Sequence, residues 1–179
     1  MTTANKITIF RVVLIPVFLV LAYTGHMRWA LVVFVLASLS DMLDGYIARH
    51  YNQITDFGKF MDPLADKVLV MAAMCFFVEA GRMPGWVLAI VLLREFAVSG
   101  MRLVAVEQGR VIAAAWSGKI KTASTMVCLC LMLLIDPPAL GDSAPDWIAH
   151  IGSAVILITT VYSGVEYFVK NRDVFRHVD

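Results

Sequence analysis

"SDMLDGYIARHYNQITDFGKFMDPLADK", residues 40–67, holds five of the chain's fourteen acidic residues: Asp41, Asp44, Asp56, Asp62 and Asp66. The stretches on either side are almost continuously apolar. On a helix, Asp41 and Asp44 are three apart and share a face; Asp62 and Asp66, four apart, do the same. Two such pairs on adjacent antiparallel helices repel one another unless a cation sits between them. Oxygen-only ligation favours hard divalent ions, Mg²⁺, Mn²⁺ or Ca²⁺, over zinc or copper. Four carboxylates on two helices suit a pair of ions roughly 3.5–4 Å apart, an arrangement used for phosphoryl-type chemistry. Gly45 and Gly58 leave room for a ligand to approach the backbone, and Arg49 offers a fork for a phosphate. Metal, glycine and arginine together point to a substrate containing a diphosphate. Parts of the set have plainer readings. "DPLADK" reads as a helix start, with Asp62 as N-cap and Pro63 at the first helical position, and Asp66 with Lys67 reads as an interfacial charge pair. A purely structural role does not account for four acids, two glycines and Arg49 taken together. Asp56 reads as a solvated loop residue outside the set.

The elements that must position these residues are hydrophobic. The 179 residues are 60% hydrophobic and 16% charged, with a mean hydropathy of +0.77; a soluble domain carries about 45–50% apolar and roughly 25% charged residues. Six apolar stretches recur, near 7–24, 29–47, 64–78, 86–106, 117–135 and 147–169. Each approaches the ~20 residues that a helix needs to cross the hydrocarbon core. The expected fold is all-α, a single domain over residues 1–179, with six transmembrane helices around a polar cavity open to the cytoplasm. Closed β-barrels, the other spanning solution, need a period-two alternation that these runs lack. The first stretch runs into "LAYTGHMRWALVV" without a small-x-small cleavage site, so it reads as an anchor retained as the first helix.

Charge distribution sets the orientation. With six helices, one side receives Lys6, Arg11, Arg49, Lys59, Arg110, Lys119, Lys121, Lys170, Arg172 and Arg176, and the other mainly Arg28 and Arg82. The positive-inside rule puts both termini and the aspartate segment in the cytoplasm. Asp41 precedes Arg49 by eight residues, which is about 12 Å along a helix. It therefore lies below the membrane surface, where a carboxylate needs a water-filled cavity or a partner. A net charge of +1 gives no ground for a nucleic-acid partner. Trp86 and Trp147 open their helices where an interfacial aromatic belt sits. Cys75, Cys128 and Cys130 fall inside apolar stretches and read as buried small hydrophobes. The one long loop, around 136–146, has no Lys or Arg.

"DMLDGYIARHYNQITDFGKFMDPLAD" resembles the signature of the CDP-alcohol phosphotransferases: D-x2-D-G-x2-A-R, eight residues, then G-x3-D-x3-D. Asp41, Asp44, Gly45, Ala48, Arg49, Gly58, Asp62 and Asp66 fill every fixed position. The resemblance extends over the whole chain, since that family has six transmembrane helices and an active site open to the cytoplasm. It implies that an alcohol hydroxyl attacks the β-phosphorus of a CDP-linked lipid and that CMP leaves. It also implies two Mg²⁺ or Mn²⁺ ions held by Asp41, Asp44, Asp62 and Asp66, with Asp66 also the general base. Gly45, Ala48, Arg49 and Gly58 would line the CDP site. Many members of that family form homodimers, so a homodimer is an assembly that the resemblance allows.

The acceptor has its own signals. In the fourth helix Arg94, Val98 and Arg102 share a face, with Glu95 and Ser99 beside it, and arginines at this depth should point inwards. Lys119 and Lys121 follow at the start of the fifth helix, and with Arg110 they are placed to collect an anion. Simple anchoring by the positive-inside rule is the plainer reading of the two lysines. For Arg94 the plainer reading is an ion pair with Glu95 or Glu166, though adjacent helical residues point about 100° apart, which argues against a pair with Glu95. A negatively charged acceptor accounts for the whole basic set. "REFAVSGMR" and "GKIKT" resemble segments of the bacterial phosphatidylglycerophosphate synthases, which implies CDP-diacylglycerol as donor and sn-glycerol 3-phosphate as acceptor in a bacterial inner membrane. Asn5, Thr8 and Arg11 match the amino-terminal pattern, with Ala4 in place of its usual proline. Two rival readings are a cardiolipin synthase of the same superfamily, with phosphatidylglycerol as acceptor, and a divalent-cation transporter. A transporter places its ligands near the midplane, whereas these acids cluster at the cytoplasmic ends of two helices.

Overall fold

The computed structural model describes residues 3–50, 56–113, 115–135 and 147–177; within these, the side chains of 3–6, 41–60, 62–63, 135 and 175–177 lie outside the description. Among the described residues every regular element is helical: α1 (Thr3–Tyr23), α2 (Met27–His50), α3 (Asp56–Glu79), α4 (Gly85–Glu107), α5 (Trp116–Ile135), α6 (Trp147–Lys170) and a closing 3-10 turn, Arg172–His177. The six helices coincide with the six apolar stretches, and the closing turn was not signalled by periodicity.

The start of α3 corrects the sequence reading at two residues. α3 begins at Asp56 and runs on through Pro63, so Asp62 is inside a helix and is not an N-cap, and Asp56 opens the helix instead of lying in a loop. Apolar periodicity marks only the greasy part of a helix, and α3's first two turns interleave Asp56, Gly58, Lys59 and Asp62 with their apolar residues.

Three helices stop in the same way. Gly25, Gly81 and Gly109 have φ of 79°, 72° and 71°, a left-handed conformation that suits only glycine well. In each case the next residue's N–H reaches a carbonyl five residues back: His26 to Leu21 at 2.8 Å, Arg82 to Phe77 at 2.9 Å and Arg110 to Ala105 at 2.8 Å. This is the Schellman closure, which satisfies carbonyls that the helix end leaves unpaired.

Side-chain contacts fix the direction of each helix. Phe18 meets Phe34 and Arg11 meets Ser40, so α1 and α2 are antiparallel. Tyr23 packs on Phe76 and hydrogen-bonds Glu79, so α1 and α3 end together. Lys67 meets Ser99 between antiparallel α3 and α4. Ser124 meets Thr159 between antiparallel α5 and α6, and Arg102 meets Tyr167 between parallel α4 and α6. The result is an up-and-down bundle in which the start of α1 and the end of α6 lie at one end.

Apolar side chains cover the outside as well as the inside. Phe96 is 73% exposed, Leu93 70% and Ile158 66%, while Arg11, Lys121, Thr125 and Thr160 are buried. Water would penalise such a surface and a bilayer would not. By length and composition, two helical stretches among the described residues are apolar enough to cross a membrane, Trp116–Leu134 and Trp147–Lys170; the apolar parts of α1 and α2 are shorter, Ile7–Tyr23 and Met27–Ser40. Trp29, Trp86, Trp116 and Trp147 all fall within the first three residues of a helix and are all exposed, as an interfacial belt requires. The chain thus has the surface of a membrane protein. The cysteines are free, as expected, but Cys75 is exposed instead of buried, because it points outward from α3 while Met74, Phe76 and Phe77 fill the core.

Candidate active site

The core has two parts. A large cluster gathers Phe18, Phe34, Phe76, Phe77, Val87 and Val91 towards the end of the bundle away from the termini. A small one joins Val98, Met101, Ala105, Tyr167 and Val174. On α4 the break between them falls at Arg94 and Glu95, and a cavity of about 800 Å³ opens there. It is lined from α3 by Asp66 and Lys67, from α4 by Arg94, Glu95, Ser99 and Arg102, from α5 by Lys119 and Lys121, and from α6 by Tyr167.

The helical register explains why these side chains converge. Arg94, Val98 and Arg102 recur every four residues on α4, with Glu95 and Ser99 on the adjoining stripe, and all five line the cavity. Arg102 donates from Nε to the Tyr167 hydroxyl at 3.0 Å, with its guanidinium carbon 5.5 Å from the ring centroid. Lys119 lies over the Trp116 ring at 4.9 Å. Of the anion-binding set expected from sequence, Arg94, Arg102, Lys119 and Lys121 come together here with Asp66. Arg110 does not; it is exposed in the α4–α5 connection.

Glu95 organises the cations. Its Oε1 accepts from Arg94 Nη1 at 2.9 Å and from Lys121 Nζ at 2.9 Å, and its Oε2 lies 3.7 Å from Lys67 Nζ. Lys67 also donates to Ser99 at 2.6 Å. The Arg94–Glu95 pair corrects the expectation that neighbours on a helix point too far apart to meet. Both side chains are long enough to bend round to the cavity, where Lys121 shares the same oxygen. Glu166, the other partner considered for Arg94, bonds Lys170 one turn along α6. The Arg94, Glu95 and Lys121 side chains are 13%, 14% and 5% exposed. Arg94 and Lys121 hold one oxygen at 2.9 Å each, so their charges lie within about 6 Å. At an effective dielectric of about 20 that repulsion is roughly 3 kcal/mol, and the carboxylate offsets it.

Arg94 is confined along its length. A Cβ on Gly164 would lie 3.2 Å from Arg94 Cγ, and one on Gly118 would lie 3.5 Å from Arg94 Nη2. The absence of a side chain at Gly164 gives the arginine shaft its room, whereas a Cβ at Gly118 would make only ordinary contact with the head. Lys67, Glu95, Gly118, Gly164 and Tyr167 were not among the expected site residues. Glu95 carried a usable signal, because an acid in the middle of an apolar helix needs a buried partner. The two glycines carried none.

Asp41, Asp44, Gly45, Ala48 and Arg49 fall in the last ten residues of α2, and Gly58, Asp62 and Asp66 in the first eleven of α3. Because these helices are antiparallel, both segments lie at the same end of the bundle as the cavity. Beyond the backbone, the surroundings of Asp41 through Asp62 lie outside the described residues. At the α1–α2 contact, fully buried Arg11 donates from Nε to Ser40 at 3.2 Å, one residue before Asp41.

The family model for CDP-alcohol phosphatidyltransferases matches residues 1–163. The chain belongs to that family. A Bacillus subtilis (strain 168) protein named CDP-diacylglycerol–glycerol-3-phosphate 3-phosphatidyltransferase is 40% identical over 93% of this chain and 93% of its own length. A Mycobacterium tuberculosis (strain H37Rv) protein named probable phosphatidylglycerophosphate synthase is 37% identical over 93% of this chain and 80% of its own. A Salmonella typhimurium (strain LT2) protein with the same name as the Bacillus one is 36% identical over 93% of this chain and 92% of its own.

For this CDP-alcohol phosphatidyltransferase, the donor set fits the hard divalent cations that the family implies. Asp41, Asp44, Asp62 and Asp66 offer oxygen donors only, from backbone positions at one end of α2 and α3, and Asp66 lines the cavity. The charge of the cavity fits an anionic substrate. Five cationic side chains, Lys67, Arg94, Arg102, Lys119 and Lys121, line it against two acids, Asp66 and Glu95.

Proposed function

We propose that the chain transfers the phosphatidyl group of CDP-diacylglycerol to sn-glycerol 3-phosphate, giving phosphatidylglycerophosphate and CMP. The observation that carries this reading is one cavity in which Asp66 of the signature shares walls with Arg94, Arg102, Lys119 and Lys121. It supports a site with a reacting carboxylate at one side and a clamp for a small phosphorylated acceptor at the other. The names of the relatives support the choice of donor and acceptor.

In this reading a hydroxyl oxygen of glycerol 3-phosphate bonds to the lipid-side phosphorus of the diphosphate. The bond from that phosphorus to the bridging oxygen breaks, CMP leaves with the electron pair, and the hydroxyl proton passes to the Asp66 carboxylate. Asp41, Asp44, Asp62 and Asp66 would hold two Mg²⁺ or Mn²⁺ ions. Bound there, such ions supply Lewis-acid stabilisation of the diphosphate charge. Gly45, Ala48, Arg49 and Gly58 line the cytidine diphosphate, Arg49 as a phosphate fork. Arg94, Arg102, Lys119 and Lys121 hold the acceptor phosphate, and Arg110 is left out of the clamp. All six helices cross a bacterial inner membrane, with both termini and the cavity on the cytoplasmic side. The excess of Lys and Arg at that end supports this orientation, and the acyl chains remain in lipid.

The test is CMP release from CDP-diacylglycerol by purified protein in detergent with Mg²⁺ or Mn²⁺. Glycerol 3-phosphate, phosphatidylglycerol and inositol phosphate are supplied in parallel. Release should depend on glycerol 3-phosphate and fall about 10³-fold in Asp66→Asn, the scale of a lost general base. Release with phosphatidylglycerol alone would make the protein a cardiolipin synthase. No release with any acceptor, from protein of native helical content, would overturn the reading in favour of cation transport.

A further inference from the structure

We infer that Glu95 is a positioning residue that builds the acceptor-phosphate clamp and sets its distance from Asp66; this rests on the function proposed above. Glu95 is an acid on the wall of a cavity that collects an anion, and by charge alone it opposes that ligand. Its geometry gives it the opposite effect. One oxygen takes both the Arg94 guanidinium and the Lys121 ammonium at 2.9 Å, and the other faces Lys67 at 3.7 Å. The carboxylate therefore ties α3, α4 and α5 at a single point.

Each tie has a consequence. Lys121 is nearly enclosed, with 5% of its side chain exposed, and without the carboxylate its ammonium would turn away from Arg94. Arg94 has its shaft packed against Gly164, and Glu95 decides where its head points. Lys67 follows Asp66 directly in α3, so the contact with Lys67 sets the clamp in register with the reacting carboxylate. A cation pair held this way is ready for a phosphate monoester without rearrangement, and preorganisation of this kind lowers the cost of binding. Lys67, Arg94 and Lys121 around one carboxylate also leave a net charge of two, which matches a fully ionised phosphate monoester better than a singly charged phosphodiester.

The test compares wild type, Glu95→Gln and Glu95→Asp as full-length protein in detergent. Calorimetric titration with glycerol 3-phosphate and with inorganic phosphate runs beside the CMP-release assay. Glu95→Gln should weaken glycerol 3-phosphate binding and raise its KM by about tenfold or more, while KM for CDP-diacylglycerol changes less than about twofold. Glu95→Asp, which keeps the charge, should recover part of the loss. Unchanged or tighter phosphate binding in Glu95→Gln would overturn the inference and make Glu95 a competitor of the ligand. Equal increases in both KM values would also overturn it, since they mark a general loss of structure. If wild type binds phosphate but releases no CMP, the proposed function fails. The inference about Glu95 is then decided by the titration.

Discussion

Two glycines of α6 show how differently the two ends of this bundle are built. Gly152, at the end away from the chain termini, lies against Met132; a Cβ there would come within 2.9 Å of the sulfur. Gly164, towards the other end, lies against the shaft of Arg94, where a Cβ would sit 3.2 Å from Cγ. Around Gly152 the neighbours are Cys128, Leu131, Trp147, Ile148 and Ile151, which line an apolar pocket of about 250 Å³. Around Gly164 the space belongs to a cation whose head is fixed by Glu95. The shorter contact is thus the more forgiving one. A methionine end is flexible and has empty space beside it, whereas Arg94 is held at both ends. The apolar end works by packing, which tolerates adjustment. The cavity end works by placement, which does not.

Three substitutions sharpen this contrast. The largest effect is expected at the centre of the apolar end, where Phe76 is fully buried between Tyr23 and Phe77. Phe76→Ala removes a ring from a close-packed core and should cost about 3 kcal/mol. A fall of several degrees in the thermal midpoint in detergent, with the KM for glycerol 3-phosphate unchanged in the cold, is the expected result. A KM change as large as the stability change would show that the two ends are not separable.

Gly164→Ala should do the reverse. Its methyl group displaces Arg94 by a few tenths of an ångström, and misplacement of a binding group by ~1 Å costs as much as 10²-fold. A KM for glycerol 3-phosphate raised about tenfold, with a thermal midpoint within a few degrees of wild type, is expected; steady-state kinetics beside a thermal melt decides it. The smallest effect belongs to Gly152→Ala. Met132 should swing into the adjoining pocket, leaving stability within about 1 kcal/mol of wild type and kinetics untouched. A large loss of stability there would mean that the apolar end is as rigid as the cavity.

The number of helices and the cationic set on α4 and α5 were legible in the chain because each depends on local pattern. An apolar run long enough to cross a bilayer marks a helix whatever lies beside it, and residues four apart share a face wherever the helix goes. Glycine after the last helical residue likewise marks the stops at Gly25, Gly81 and Gly109. The beginning of α3 was harder to read. Its first two turns mix Asp56, Gly58, Lys59 and Asp62 with apolar residues, and Pro63 imitates a helix start, so local rules start the helix too late.

What the sequence by itself determined is the chemistry: carboxylates spaced for one helical face, glycines and an arginine suited to a diphosphate, and cations four residues apart. These follow from covalent spacing and charge, which hold in any fold. Only the tertiary structure decided the partners. Arg94 and Glu95 are neighbours in the chain, but they meet productively because Lys121 arrives from α5 and Lys67 from α3. Gly164 matters because the shaft of a side chain from another helix passes over it. Contacts between helices depend on rotation and crossing of rigid rods, and no pattern within one rod encodes the face that another presents to it.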